Sequence, residues 1–233
     1  MVSDTQTGFV LTADSIDSPR DPSMLGRLMT IAMTMQAVAT GRMSYETLIA
    51  LPDGKSVSVR RALALAASES PGQRPAMTSL ANHVGGTVRG YTESLADVEN
   101  RAGLKGITLR VVRAEDGGPA FEGYATPRDM SRLAISMMRS YQKEVDKLFS
   151  GKNEQSKFSR MWLHEDGVCL LAADGPRSGR LLVATMTGAP DGKTCLRNAA
   201  KTISRDDVRI SDTESDIHPG SRSGFNRQPP EDD

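Results

Sequence analysis

Aromatic side chains are scarce in this 233-residue sequence: five Phe, four Tyr and one Trp. Methionine alone outnumbers them at 12, so the interior has to be filled by Leu, Ala, Val and Met, with thioether chains closing irregular gaps. Cysteine is limited to Cys169 and Cys195, a pair that matches no zinc-ligand spacing, and the sequence leaves open whether they bond. With only three His as well, no metal or other cofactor is expected. An excess of one charge is missing too. The 29 basic residues balance 29 acidic ones, which excludes the strongly basic surface of a nucleic-acid-binding domain. No apolar run reaches the length of about 18 residues that a membrane span needs. Residues 1–8 are polar and lack a basic segment followed by an apolar one, so they are not a signal peptide. That leaves a cytosolic protein or one whose leader has been removed.

A chain of this length buries enough surface to fold without a metal or disulfide framework. Residues 9–13 predict a short strand. Residues 24–39 predict a helix whose apolar side chains, Leu25, Leu28, Met29, Ile31, Met33 and Met35 among them, surround it on nearly every side, so it should be buried. Gly41 is its expected stop. Residues 59–67, 80–84 and 91–102 predict further helices, and 108–112 a strand. The best-marked helix opens at Thr126, with Pro127 at its first position and Asp129 completing a variant of the capping box, and runs on helical spacing through Met130, Leu133, Met137, Met138 and Val145 to Gly151. Residues 167–173 and 180–187 are apolar β-type runs that predict an antiparallel hairpin with a longer loop. Helices between an early strand and a late hairpin imply an α+β domain, expected over residues 9–203. The last segment, 204–233, holds four Arg against eight Asp and Glu with little apolar content, and predicts a disordered acidic tail.

Two stretches carry a resemblance. Tyr124-Ala125-Thr126-Pro127-Arg128-Asp129-Met130-Ser131-Arg132-Leu133-Ala134 is close to Y-x-T-A-R-D-M-A-x-L-A. Gly167-Val168-Cys169-Leu170-Leu171-Ala172-Ala173, followed by Gly179-Arg180-Leu181-Leu182-Val183-Ala184, is close to G-Y-C-L-V-A-S-A and G-x-R-L-I-A-V. In this order and spacing the sequence resembles the serine D-alanyl-D-alanine carboxypeptidases, the low-molecular-mass penicillin-binding proteins. The resemblance implies a β-lactamase-like fold, an antiparallel sheet with a helical cluster.

It also implies three catalytic motifs, and each is degraded. Against P-A-S-x-T-K-L-M-T stands Pro22-Ser23-Met24-Leu25-Gly26-Arg27-Leu28-Met29-Thr30, so Met24 falls on the serine nucleophile and Arg27 on the lysine. A thioether has no acidic proton to give, and a guanidinium with a pKa above about 12 is no base near neutrality. Counting forward, S-x-N falls on Ser70-Pro71-Gly72, which keeps the serine and loses the asparagine. K-T-G, ten residues before Cys169, falls on Ser159-Arg160-Met161, with Lys157 two positions upstream. The joint loss implies a catalytically inactive, pseudoenzyme domain that acts in recognition. The resemblance makes its partner a peptidoglycan stem peptide or an envelope protein, and its location periplasmic or otherwise outside the cytoplasm.

The alternative is a divergent serine hydrolase using Ser23 or Ser70 with Lys157. A one-residue shift on a helix turns a side chain by about 100°, so Ser23 is expected to cap the helix instead. Ser70 lines a groove or ends a helix. Arg27 either binds a ligand carboxylate bidentately or forms a salt bridge at a buried position. His83 and His164 are an acid–base pair only if the fold joins them, and packing histidines are the expectation.

Overall fold

In a computed structural model, residues 1–115, 117–149 and 159–217 are described. From the N-terminus the chain runs β1 (Val2–Asp4), β2 (Val10–Thr12), α1 (Ser23–Ala39), β3 (Leu48–Ala50), β4 (Ser56–Ser58), α2 (Val59–Ala66), α3 (Gln73–Gly85) and α4 (Val88–Ala102). It continues through β5 (Thr108–Arg113), β6 (Pro119–Tyr124), α5 (Pro127–Phe149), β7 (Ser159–Glu165), β8 (Val168–Asp174), β9 (Leu181–Thr187) and α6 (Gly192–Ile217). A five-stranded antiparallel sheet, in the order β2-β1-β9-β8-β7, forms the backbone of an α+β domain.

The period-2 alternation of a strand explains how β8 is covered on both faces. Val168, Leu170 and Ala172 point to the larger core, built with α1 and α5. Leu171 and Ala173 point to a second core under α6, where Leu196, Ala199 and Ile203 cover them. Cys169 shares that second face, and it forms a disulfide with Cys195 on α6.

Helix α1 is buried on every side, as its composition requires, and even Arg27, Thr30 and Thr34 are buried. Ser23 does not cap it. The cap position is Pro22, and the Asp21 carboxylate accepts the Ser23 N–H at 2.8 Å, so the capping role moves two residues upstream. At the start of α5 the forward half of the capping box forms: Thr126 Oγ1 accepts from Asp129 N at 3.2 Å, while the fully buried Asp129 carboxylate turns to Lys105 N, accepting from it at 3.1 Å. Arg128 makes a two-pronged pair with Asp17 at 2.7 and 2.9 Å, docking the loop before α1 onto the start of α5.

The domain is wider than residues 9–203. β1 lies inside the sheet, pairing Val2 with Ala184 and Asp4 with Leu182. It escapes a periodicity search because only one of its three residues is apolar and β9 supplies its pairing. At the other end α6 runs past Ile203 to Ile217, and Asp206 and Asp207 are fully buried. Asp207 accepts from Arg177 N at 2.7 Å and Ser178 N at 3.2 Å, closing the β8–β9 loop. Polar composition there reflects a buried capping role, not a lack of docking. Residues 218–233, the remainder of the expected tail, and Gly151 lie outside the described residues.

Candidate functional site

The first turn of α1, the junction between α2 and α3, the β5–β6 hairpin and the far end of β7 enclose a cleft of about 280 Å³. Its walls carry Ser23, Arg27, Gln73, Arg74, Thr78, Phe121 and Glu165.

Arg27 dominates the floor. It is 2 % exposed. Its Nε donates to the Ala66 carbonyl at 2.8 Å, Nη2 to the Ser68 carbonyl at 2.9 Å and Nη1 to the His164 carbonyl at 3.1 Å. Nη1 also meets Glu165 Oε2 at 3.4 Å. The Gln73 amide, with its oxygen turned towards the guanidinium, accepts from Nε and Nη1 at 3.3 and 3.2 Å. A flat fork of donors is thus spent on the last turn of α2, the residues after it and the end of β7. Of the two roles open to Arg27, the structure fills the ion-paired buried one.

Burial lowers the Arg27 pKa, although Glu165 opposes the shift. Starting above about 12, the group remains a cation. Burial also raises the Glu165 carboxyl above the usual glutamate range, more than Arg27 lowers it.

Met24 is 1 % exposed and belongs to the core, so the position of the resemblance's nucleophile holds a packed thioether. Next to it, Gly26 lies under Phe121 of β6: a Cβ there would stand 2.5 Å from Phe121 Cγ. Glycine lets the β5–β6 hairpin lie directly on the first turn of α1. Ser23 reaches the cleft wall, where the guanidinium groups of Arg27 and Arg74 cannot accept a proton and the Glu165 carboxylate is paired with Arg27.

Ser70 and Gly72 do not reach the cleft. Half-buried Ser70 pairs its hydroxyl with that of Ser68 at 2.7 Å, and its carbonyl accepts from Gln73 N at 2.9 Å. Gly72 is the cap position of α3, pressed against Leu65. The wall at this junction is made instead by Gln73 and Arg74, one turn further on.

Ser159 is also displaced. β7 and β8 are joined by Asp166 and Gly167, both with positive φ (47° and 73°), as a two-residue hairpin turn requires. Cys169 therefore faces His164, and Glu165 faces Val168. Counting ten residues back from Cys169 runs the whole length of β7 to a register shift at Arg160, where Ser159 faces Ala173. Because cross-strand partners share a face, Ser159 lies on the α6 side of the sheet, about 20 Å along the strand from Glu165. Arg160, the residue at the shift, pairs with Asp174 at 2.8 Å and Asp146 at 3.1 Å. The residue that β7 brings to the cleft is Glu165, so the strand end beside Arg27 is acidic. Lys157 lies outside the described residues.

The histidines are not joined. His83 is exposed near the end of α3, whereas His164 stacks on Trp162 and faces Glu69 at 3.7 Å. Trp162 itself packs against the second core. Among the described residues no cluster has the composition of a metal site, and no helix is long and apolar enough to cross a membrane. Sequence counting missed Gln73, Arg74, Phe121 and Glu165. Of these, only Glu165 has a local signal in the sequence, the Asp-Gly pair after it that suits a tight hairpin turn.

No protein-family model matches the sequence, and no curated protein matches it. Solved structures do match. The D-alanyl-D-alanine carboxypeptidase DacD from Francisella tularensis superposes with a TM-score of 0.70 at 16% identity, covering 87% of this chain and 68% of that one. Penicillin-binding protein 6B from Escherichia coli gives 0.69 at 17%, covering 91% and 75%. Penicillin-binding protein D2 from Listeria monocytogenes, in its cefotaxime-bound form, gives 0.70 at 13%, covering 89% and 95%. At such identities it is the fold that is shared, and this chain has the fold of the D-alanyl-D-alanine carboxypeptidases and penicillin-binding proteins.

Proposed function

We propose that the chain is a non-catalytic recognition domain built on the penicillin-binding-protein fold and acting in the bacterial cell envelope. Arg27 carries the proposal: a buried guanidinium bound to three backbone carbonyls and Glu165 stands where the resemblance calls for an amine that accepts a proton. Met24, with no proton to lose, stands at the nucleophile's place. Losing a serine nucleophile alone lowers kcat by about 10⁶. The cleft end of β7 carries Glu165, whose negative charge repels a substrate carboxylate.

What remains is a cleft whose walls, with Ser23, Arg74 and Thr78 beside Met77 and Phe121, mix polar and apolar side chains as a peptide requires. Its ligand is a peptidoglycan stem peptide or another envelope protein. A periplasmic or otherwise extracytoplasmic location is supported by the Cys169–Cys195 bond, since disulfides persist where thiols are not kept reduced.

Incubation with a fluorescent penicillin, followed by denaturing electrophoresis, tests the reading. No covalent label is expected on this protein while an active carboxypeptidase labels in parallel. Labelling that disappears in Ser23→Ala or Ser70→Ala would overturn the proposal in favour of a divergent serine hydrolase.

A further inference from the structure

A second concavity, of about 360 Å³, lies between the N-terminal half of α2 and the last turns of α5. It shares no lining residue with the cleft. Helix α5 leaves helical geometry at Tyr141 (φ −136°, ψ 32°), and Glu144, Lys147 and Leu148 beyond that break form one wall. Arg60, Arg61 and Ala64 form the other, with Tyr45 between them.

The charges here are unevenly answered. Arg60 lies 4.9 Å over the Tyr45 ring and pairs with Glu46 at 2.7 Å. Arg61 and Lys147, on opposite walls and both exposed, have no ion-pair partner among the described residues. The backbone does not supply an anion site of its own. Val59 N and Arg60 N donate to the Thr47 and Tyr45 carbonyls, and Arg61 N donates to Ser58 Oγ, so the first N–H groups of α2 are satisfied. Any anion must be met by side chains. With Arg60 neutralised by Glu46, two cations face one carboxylate, Glu144, and a single negative charge balances the lining. Between the cations the surface is apolar, made by Leu148, Ala64 and the Tyr45 ring.

We infer that this groove binds a small aromatic monoanion, its ring against Tyr45 and Leu148 and its acid group between Arg61 and Lys147. An apolar floor with a few placed charges is the usual make-up of a small-molecule site, and the stacked Arg60–Tyr45 pair presents a flat, rigid face.

Anilinonaphthalene sulfonate, whose fluorescence rises in apolar surroundings, is the probe. Titration into the intact protein should show one saturable site. Arg61→Glu and Lys147→Glu should each weaken binding by about tenfold, equivalent to about 1.4 kcal/mol, with melting unchanged because both side chains are exposed. The neutral parent phenylnaphthylamine should bind more weakly than the sulfonate. Absence of saturable binding, unaltered affinity in both charge reversals, or equal affinity for the neutral parent would overturn the inference.

Discussion

Replacing Arg27 by Met tests whether the guanidinium holds the cleft together. Methionine fits the shape of the buried stem, so packing changes little, but the carbonyls of Ala66, Ser68 and His164 lose their donor and Glu165 loses its counter-charge. Hydrogen bonds from a charged donor contribute about 1.5–3 kcal/mol each, and removing one partner of a buried ion pair costs about 3–5 kcal/mol. These figures overlap, because the same group supplies both, and they are upper bounds, because water entering the cleft can reach the half-buried Ser68 and the Glu165 carboxylate, which is 25% exposed. A loss of up to about 3–5 kcal/mol follows, which at roughly 2–4 °C per kcal/mol lowers Tm by up to about 10 °C. Scanning calorimetry reads the shift. Arg27→Lys should fall between the two, since an ammonium keeps the charge but cannot span three carbonyls with a planar fork. In the double variant Arg27→Met/Glu165→Gln the loss should be smaller than in Arg27→Met, because no half-buried carboxylate is left unpaired. If Arg27→Met melts within a degree of the wild type, the guanidinium is not the pin described here.

Two carboxylates should respond to acid in opposite senses. Burial raises the folded-state pKa of Glu165, so its contribution to stability is complete below the unfolded glutamate pKa and is lost as pH rises through the folded value. The wild type should therefore gain on Glu165→Gln between neutral and mildly acidic pH in urea titrations. For Asp4, burial alone would raise the pKa, but Arg180 and the N–H groups of Gln6 and Thr7 outweigh it and hold the carboxyl down. Its contribution is present above the unfolded aspartate pKa and fades as pH falls through the folded one, so Asp4→Asn should show a flatter acid limb. Reducing Cys169–Cys195, 26 positions apart, should lower stability by about 3.5 kcal/mol on the loop-entropy model; an unchanged Tm with reductant would contradict the bond. Truncation after Ile203 should cost at least about 2 kcal/mol, because it removes the Asp207 carboxylate that closes the β8–β9 loop. Unaltered calorimetric melting of the truncated chain would show that the end of α6 does not dock.

Local chemistry alone determined a good part of this molecule. The Met- and Leu-rich α1, the Thr126-Pro127-Asp129 start of α5 and the β8–β9 hairpin were legible because each is set by neighbours within a few residues: apolar side chains around a helix, a cap, two apolar runs around a turn. The order of those segments was enough to suggest the fold. Elements whose stability comes from elsewhere were not legible. β1 exists because β9 offers it an edge, β3 and β4 are three residues each, and the end of α6 holds its place through a buried aspartate reaching a loop about 30 positions away.

At the site the division is the same. The identities of Met24 and Arg27 declare what chemistry is missing, since no environment gives a thioether a proton or a guanidinium a practical lone pair. Which residues face them is a matter of register. A two-residue turn at Asp166-Gly167 slides β7 so that Glu165, not Ser159, meets Arg27, and a start of α3 at Gln73 puts Gln73 and Arg74 on the wall in place of Ser70 and Gly72. On a strand one residue of slip exchanges the faces, and on a helix one residue turns a side chain by about 100°. Distances along the chain therefore could not place the cleft, and the pairing of distant elements did.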